Sequence, residues 1–170
     1  MIPGSFIALL TFPGVILHEF AHQEFCQLFN IPVYEVRYFQ LGEDQAGYVK
    51  HGKPESFSQT FWISAGPLFL NSLLAVLFAA IATKFRDDSL AQIAVGWLSI
   101  SAAMHAFPST HDAENIQTAS QVARANGGSI LLLLAYPFVA AIVVANHLRF
   151  VWFDALYAYV LFQLGTRAVG

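Results

Sequence analysis

Four long apolar stretches and a shorter fifth make up most of this chain, and they constrain its fold more than any other feature. The first runs from Ile2 through Leu17 and on to about Phe29. The second spans about Phe61 to Thr83, the third about Leu90 to Phe107, the fourth about Ser129 to Asn146 and the fifth about Phe150 to Leu164. A helix needs roughly 20 apolar residues to cross a bilayer. These lengths predict four transmembrane helices and allow a fifth. Of 170 residues, 56% are hydrophobic and only 11% charged, and the mean hydropathy is +0.56. A soluble domain carries about a quarter charged residues, so a multi-pass integral membrane protein is expected. The sixteen Phe, six Tyr and three Trp fit the same lipid setting.

Pro3 suits a first helical turn, Pro13-Gly14 predicts a kink, and Asn30-Ile31-Pro32 ends the first stretch. Lys84-Phe85-Arg86 closes the second and Pro108 the third. Two polar segments interrupt the pattern. Residues 33–51 are aromatic and β-branched around Gly42-Glu43-Asp44, which predicts a membrane-associated β-hairpin after the first helix. Residues 108–128 are polar and end in Gly127-Gly128, with a short surface helix expected over His111 to Ala125. No internal repeat is evident, so residues 1–170 read as one polytopic domain.

With five spans, Arg37, Lys50, Lys53, Arg124 and Arg167 face one side and Lys84, Arg86 and Arg149 the other, mildly favouring a cytoplasmic hairpin. Four spans would change that count. The formal net charge of −3 gives no basic patch, so no nucleic-acid partner is expected. The single Cys26 excludes an internal disulfide and a multi-cysteine metal site. No Lys or Arg precedes Arg37, so the start of the chain reads as a retained membrane segment and not as a signal peptide.

Within the first apolar stretch stands His18-Glu19-Phe20-Ala21-His22, an H-E-x-x-H motif. Residues four apart share a helix face, so both imidazoles can reach one metal ion, and Glu19 beside them can take a proton from water. Ionisable groups in a membrane segment are costly, and three in five residues point to function. A zinc hydrolase uses three protein ligands. The third candidates are His51, His105, His111, Asp112, Glu114, His147 and Cys26. Cys26 ranks low, because each step of four drifts about 40° around the helix. The best source is His105 to Asp112, at the break after the third stretch, where unwound backbone can carry a ligand towards the metal.

Here the chain resembles the site-2 proteases, zinc metalloproteases that cut substrates within the membrane. That family joins an H-E-x-x-H on one transmembrane helix to an aspartate in an N-x-x-P-x-x-x-D-G-like motif on a later one. The corresponding residues here are His105-x-x-Pro108-x-x-x-Asp112-Ala113, with His for Asn and Ala for Gly. The family's intervening G-P-x-x-N element is matched by Gly66-Pro67-Leu68-Phe69-Leu70-Asn71, with the Asn one residue later. The resemblance covers about residues 10–115. It implies Zn2+ on His18, His22 and Asp112, Glu19 as general base towards a zinc-bound water, and Asn71 at the substrate carbonyl. It also implies a transmembrane protein or peptide as substrate, pairing as an added strand on the 33–51 hairpin.

Each element has a plainer structural use. Ser109-x-x-Asp112 is a capping box, Gly66-Pro67 a packing and kink site, and Asn71 a bridge between helices. His105 and His111 suit roles around the site better than ligation. Asp154 beside Trp152 suits the lipid interface. Two alternatives accompany the intramembrane zinc endopeptidase: a membrane metal-dependent oxidase with two irons, and a non-catalytic metal-binding scaffold. Six histidines with few close pairs are sparse for the first, and the intact Glu19 weighs against the second.

Overall fold

The computed structural model describes residues 4–42, 45–127, 130–148 and 153–169. It is mainly helical, with one two-stranded antiparallel sheet. In chain order the elements are α1 (Gly4–Leu10), α2 (Phe12–Leu28), β1 (Val33–Arg37), β2 (Tyr48–His51), α3 (Phe57–Ala82), α4 (Leu90–Met104), α5 (Thr110–Ala125), α6 (Ile130–Leu148) and α7 (Phe153–Arg167).

The first apolar stretch is two helices, broken at Thr11 and not kinked at Pro13-Gly14. Pro13 sits in the first turn of α2, where its missing N–H costs nothing. Neighbouring side chains satisfy the main chain around the break. The Trp97 indole donates to Leu10 O at 2.8 Å and Ser101 Oγ to Thr11 O at 2.7 Å, while Gly14 N donates to Ser101 Oγ at 2.8 Å. A Cβ on Gly14 would collide with the Ser101 carbonyl and reach the His105 ring at 2.9 Å, so this glycine sets the approach of α2 to α4. At the far end Asn30 takes φ 55° and stops the helix.

The hairpin forms as expected. Val36 pairs with Val49 and Arg37 with Tyr48, with an irregularity between Val33 and Glu35. Gln40 N donates to Ala46 O at 2.7 Å, extending the pairing towards the tip, and Gly42 takes φ +81°. Glu43 and Asp44, the expected turn, lie outside the described residues. Tyr38 donates its hydroxyl to Gln23 of α2, and Phe12 packs on Phe39, so the hairpin is tied to the motif helix.

Helix α3 is central, touching α2, α4, α5 and α7. It starts four residues earlier than the hydropathy suggests, because Ser56 and Gln59 form a capping box. Its 26 residues, about 39 Å at 1.5 Å each, make it one helix long and apolar enough to cross a membrane. Small residues let its neighbours approach: Ala75 packs with Ala102, Ala103, Ala158 and Leu161 from α4 and α7. A second cluster joins Phe61 and Ala65 to Ala113, Ile116, Val139 and Ile142 of α5 and α6. Ser99 Oγ donates to Ala75 O at 2.7 Å, crossing the same kind of interface with a hydrogen bond.

Candidate metal centre

Helix α2 presents His18 and His22 one turn apart on its inner face, with ring centroids 4.7 Å apart. Both are 7% exposed, as is Glu19, and Asp112 is 9% exposed. The two Nε2 atoms lie 3.1 Å apart. Asp112, in the first turn of α5, brings Oδ2 to 3.7 Å from His18 Nε2 and 3.4 Å from His22 Nε2. These three form a group able to hold a metal ion. Donors about 2.0–2.1 Å from a tetrahedral zinc are separated by about 3.3 Å, so the observed spacings fit such an ion.

The outer nitrogens reinforce this fit. His18 Nδ1–H donates to His105 O at 2.7 Å and His22 Nδ1–H to Ile63 O at 2.8 Å. A carbonyl oxygen can only accept, so the proton of each neutral ring sits on Nδ1. Both Nε2 lone pairs then face each other and the Asp112 carboxylate. Two acceptors at 3.1 Å without a proton between them repel, and a cation bound there turns that cost into attraction.

Asp112 is held from behind. Its Oδ2 accepts from Ser109 N at 3.0 Å and Ser109 Oγ at 2.6 Å, and its own N–H donates to Ser109 Oγ at 3.2 Å. The capping box and the metal group therefore share one oxygen. Capping and ligation, which the sequence offers as alternatives, are compatible in the fold.

A cavity of about 640 Å3 opens onto this group. Glu19 faces it from α2, Tyr48 and Val49 from β2, Phe107 from the turn into α5 and His111 from the first turn of α5. The hairpin approaches Glu19 through Gly47, where a Cβ would stand 2.7 Å from Glu19 Cγ and 2.9 Å from Arg37 O. Only main chain fits there.

The other candidates separate clearly. His51, His105, His111 and Glu114 line the cavity without joining the ligand group. Thr11 Oγ1 donates to Ile7 O at 2.6 Å and so accepts from His105 Nε2, 2.7 Å away. Cys26 is buried against Ile31 and Ile63, off the metal face, as the helical drift requires. The side chain of His147 lies outside the described residues, as do Gly128 and Trp152. Asn71, expected at the substrate carbonyl, is placed behind the histidines. It is fully buried and does not line the cavity, and its Nδ2 donates to Gly14 O at 3.3 Å and His105 O at 3.0 Å. The Ile63 carbonyl, by contrast, takes part in the site through its main chain, which no side-chain motif announces.

Comparison with protein-family models, curated proteins and solved structures finds no match.

Proposed function

We propose that this chain is an intramembrane zinc endopeptidase of the site-2 protease type, hydrolysing peptide bonds in or near transmembrane segments. One observation carries the reading: His18, His22 and Asp112 converge in a buried group while Glu19 faces the same cavity. Two imidazoles and one carboxylate suit zinc, and among the described residues one such group forms, which favours a single metal over a di-iron centre. Zinc bound there supplies a Lewis acid for the scissile carbonyl and acidifies water.

The chain's own residues supply the rest. Glu19 takes the proton from the attacking water and returns it to the amine nitrogen as the C–N bond breaks. Burial of Glu19 keeps bulk water from competing for its charge. The cavity wall on the hairpin side is β2 and the 45–47 segment, with no residue of β1. A substrate added as a strand there has its peptide bonds held extended beside Glu19, which a helical substrate would otherwise hide.

The bilayer setting rests on α3 and on outward apolar faces. Leu73, Leu77 and Ile81 of α3, Phe6 and Leu9 of α1, Ile93 and Ile100 of α4, and Leu156, Val160 and Leu164 of α7 are all exposed. Exposed apolar side chains on so many helices suit lipid, and support α1–α2, α4, α6 and α7 as further membrane segments beside α3.

The test uses the full chain purified in detergent and reconstituted with single-span transmembrane polypeptides. The wild type is expected to hold one zinc per chain and to cleave, and Glu19→Gln to keep the zinc and lose cleavage. Cleavage surviving in Glu19→Gln, or metal bound without His18, rejects the reading.

A further inference from the structure

Both metal-facing imidazoles lean on main-chain carbonyls, and each carbonyl stands at an interruption of its helix. In a helix the carbonyl of residue i accepts from the N–H of residue i+4. The Ile63 carbonyl would accept from residue 67, but Pro67 has no N–H. His22 Nδ1–H takes that place at 2.8 Å. The adjacent Gly66 lets α2 come close enough, since a Cβ there would run into the Phe25 ring. The His105 carbonyl lies at the C-cap of α4 and receives His18 Nδ1–H at 2.7 Å and Asn71 Nδ2 at 3.0 Å.

Asn71 stands one turn beyond Pro67 on α3, so a single helix serves both histidines. Its Oδ1 has no hydrogen-bond partner among the described residues, a cost that an apolar side chain would avoid. What the residue contributes is therefore what its Nδ2 donates.

We propose that Pro67 and Asn71 are positioning residues for the metal centre. Pro67 releases the Ile63 carbonyl that orients His22, and Asn71 anchors the His105 carbonyl that orients His18. The spacing Gly66-Pro67-x-x-x-Asn71 follows from this, because i and i+4 face the same side. A three-residue interval would turn the amide away from His105. The inference rests on the metal-centre reading above and adds to it the device that fixes the two rings.

The test is zinc affinity of the full-length protein in micelles, by competition with a chromophoric chelator, with the visible spectrum of the Co2+-substituted protein as a second readout. Pro67→Ala restores a helical N–H that competes for Ile63 O. It is expected to weaken zinc about tenfold to a hundredfold and to shift the Co2+ bands, with helix content unchanged. Asn71→Leu is expected to weaken zinc similarly. Pro137→Ala, in an exposed turn of α6, leaves affinity as in the wild type. Should Pro67→Ala fail to accumulate, Pro67→Ser restores the same N–H. Zinc affinity within twofold of wild type in both the Pro67 and Asn71 variants overturns the inference and leaves the metal reading standing. A wild type that binds no zinc overturns both.

Discussion

The hydroxyl of Ser109 donates to Asp112 Oδ2 at 2.6 Å, and that same oxygen stands 3.4 Å from His22 Nε2. A helix cap and the candidate metal group thus share an atom. The cap holds the carboxylate rotamer before any ion arrives, so the cost of ordering the ligand is met in folding and not in binding.

Ser109→Ala therefore tests two functions together. Loss of the cap is expected to cost about 1 kcal/mol of stability, read by thermal unfolding in micelles. Loss of the donor behind Asp112 is expected to weaken zinc by roughly tenfold, read by chelator competition. A variant that lost stability but kept wild-type zinc affinity would separate the cap from the ligand.

Gly47 governs how the hairpin meets Glu19. In Gly47→Ala the added methyl would lie 2.7 Å from Glu19 Cγ, so the strand or the carboxylate has to move. Cleavage is expected to fall about a hundredfold with zinc content unchanged, since small displacements of a reacting group are costly. Turnover and metal content measured on one preparation check it.

Gly14 lies where α2 packs closely on α4. Gly14→Ala forces the Ser101 carbonyl and the His105 ring apart and is expected to destabilise the fold by about 1–3 kcal/mol. His105 O orients His18, so zinc affinity should drop with it. An unfolding temperature and a zinc affinity both equal to wild type would contradict the packing described for this crossing.

Glu35 gives the hairpin a pH dependence of its own. Lys50, through a 2.8 Å bond, and Tyr48, through a 2.5 Å bond, hold the Glu35 carboxyl down to about 2 from its usual 4.5. A depressed folded-state value means stability that is full above pH 4.5 and is lost as pH falls through about 2. Tyr48 and Lys50 amide shifts are expected to move in that window. Lys50→Met should shift the midpoint towards the usual carboxylate value, and an unchanged midpoint would assign the effect elsewhere.

Much of the scaffold was legible because it is local. Hydrophobic runs, the Ser109–Asp112 box and the aromatic stretch around Gly42 mark elements through contacts between near neighbours, whereas the equally local Ser56–Gln59 box lies outside the apolar run that marks α3. The break at Thr11 was less legible. Pro13 signals irregularity, yet where the helix parts depends on Trp97 and Ser101, which come from another helix.

The sequence by itself determined that His18 and His22 face one side with Glu19 beside them, because a helix's own geometry requires it. It also narrowed the third ligand to a short segment. Only the tertiary structure decided that Asp112 completes the group while His51, His105 and His111 line its cavity, and that Asn71 grips a carbonyl behind the rings. Those outcomes turn on how closely α2, α3, α4 and α5 pack. Ångström separations between distant segments select one donor over another of the same chemical kind, and no local pattern records them.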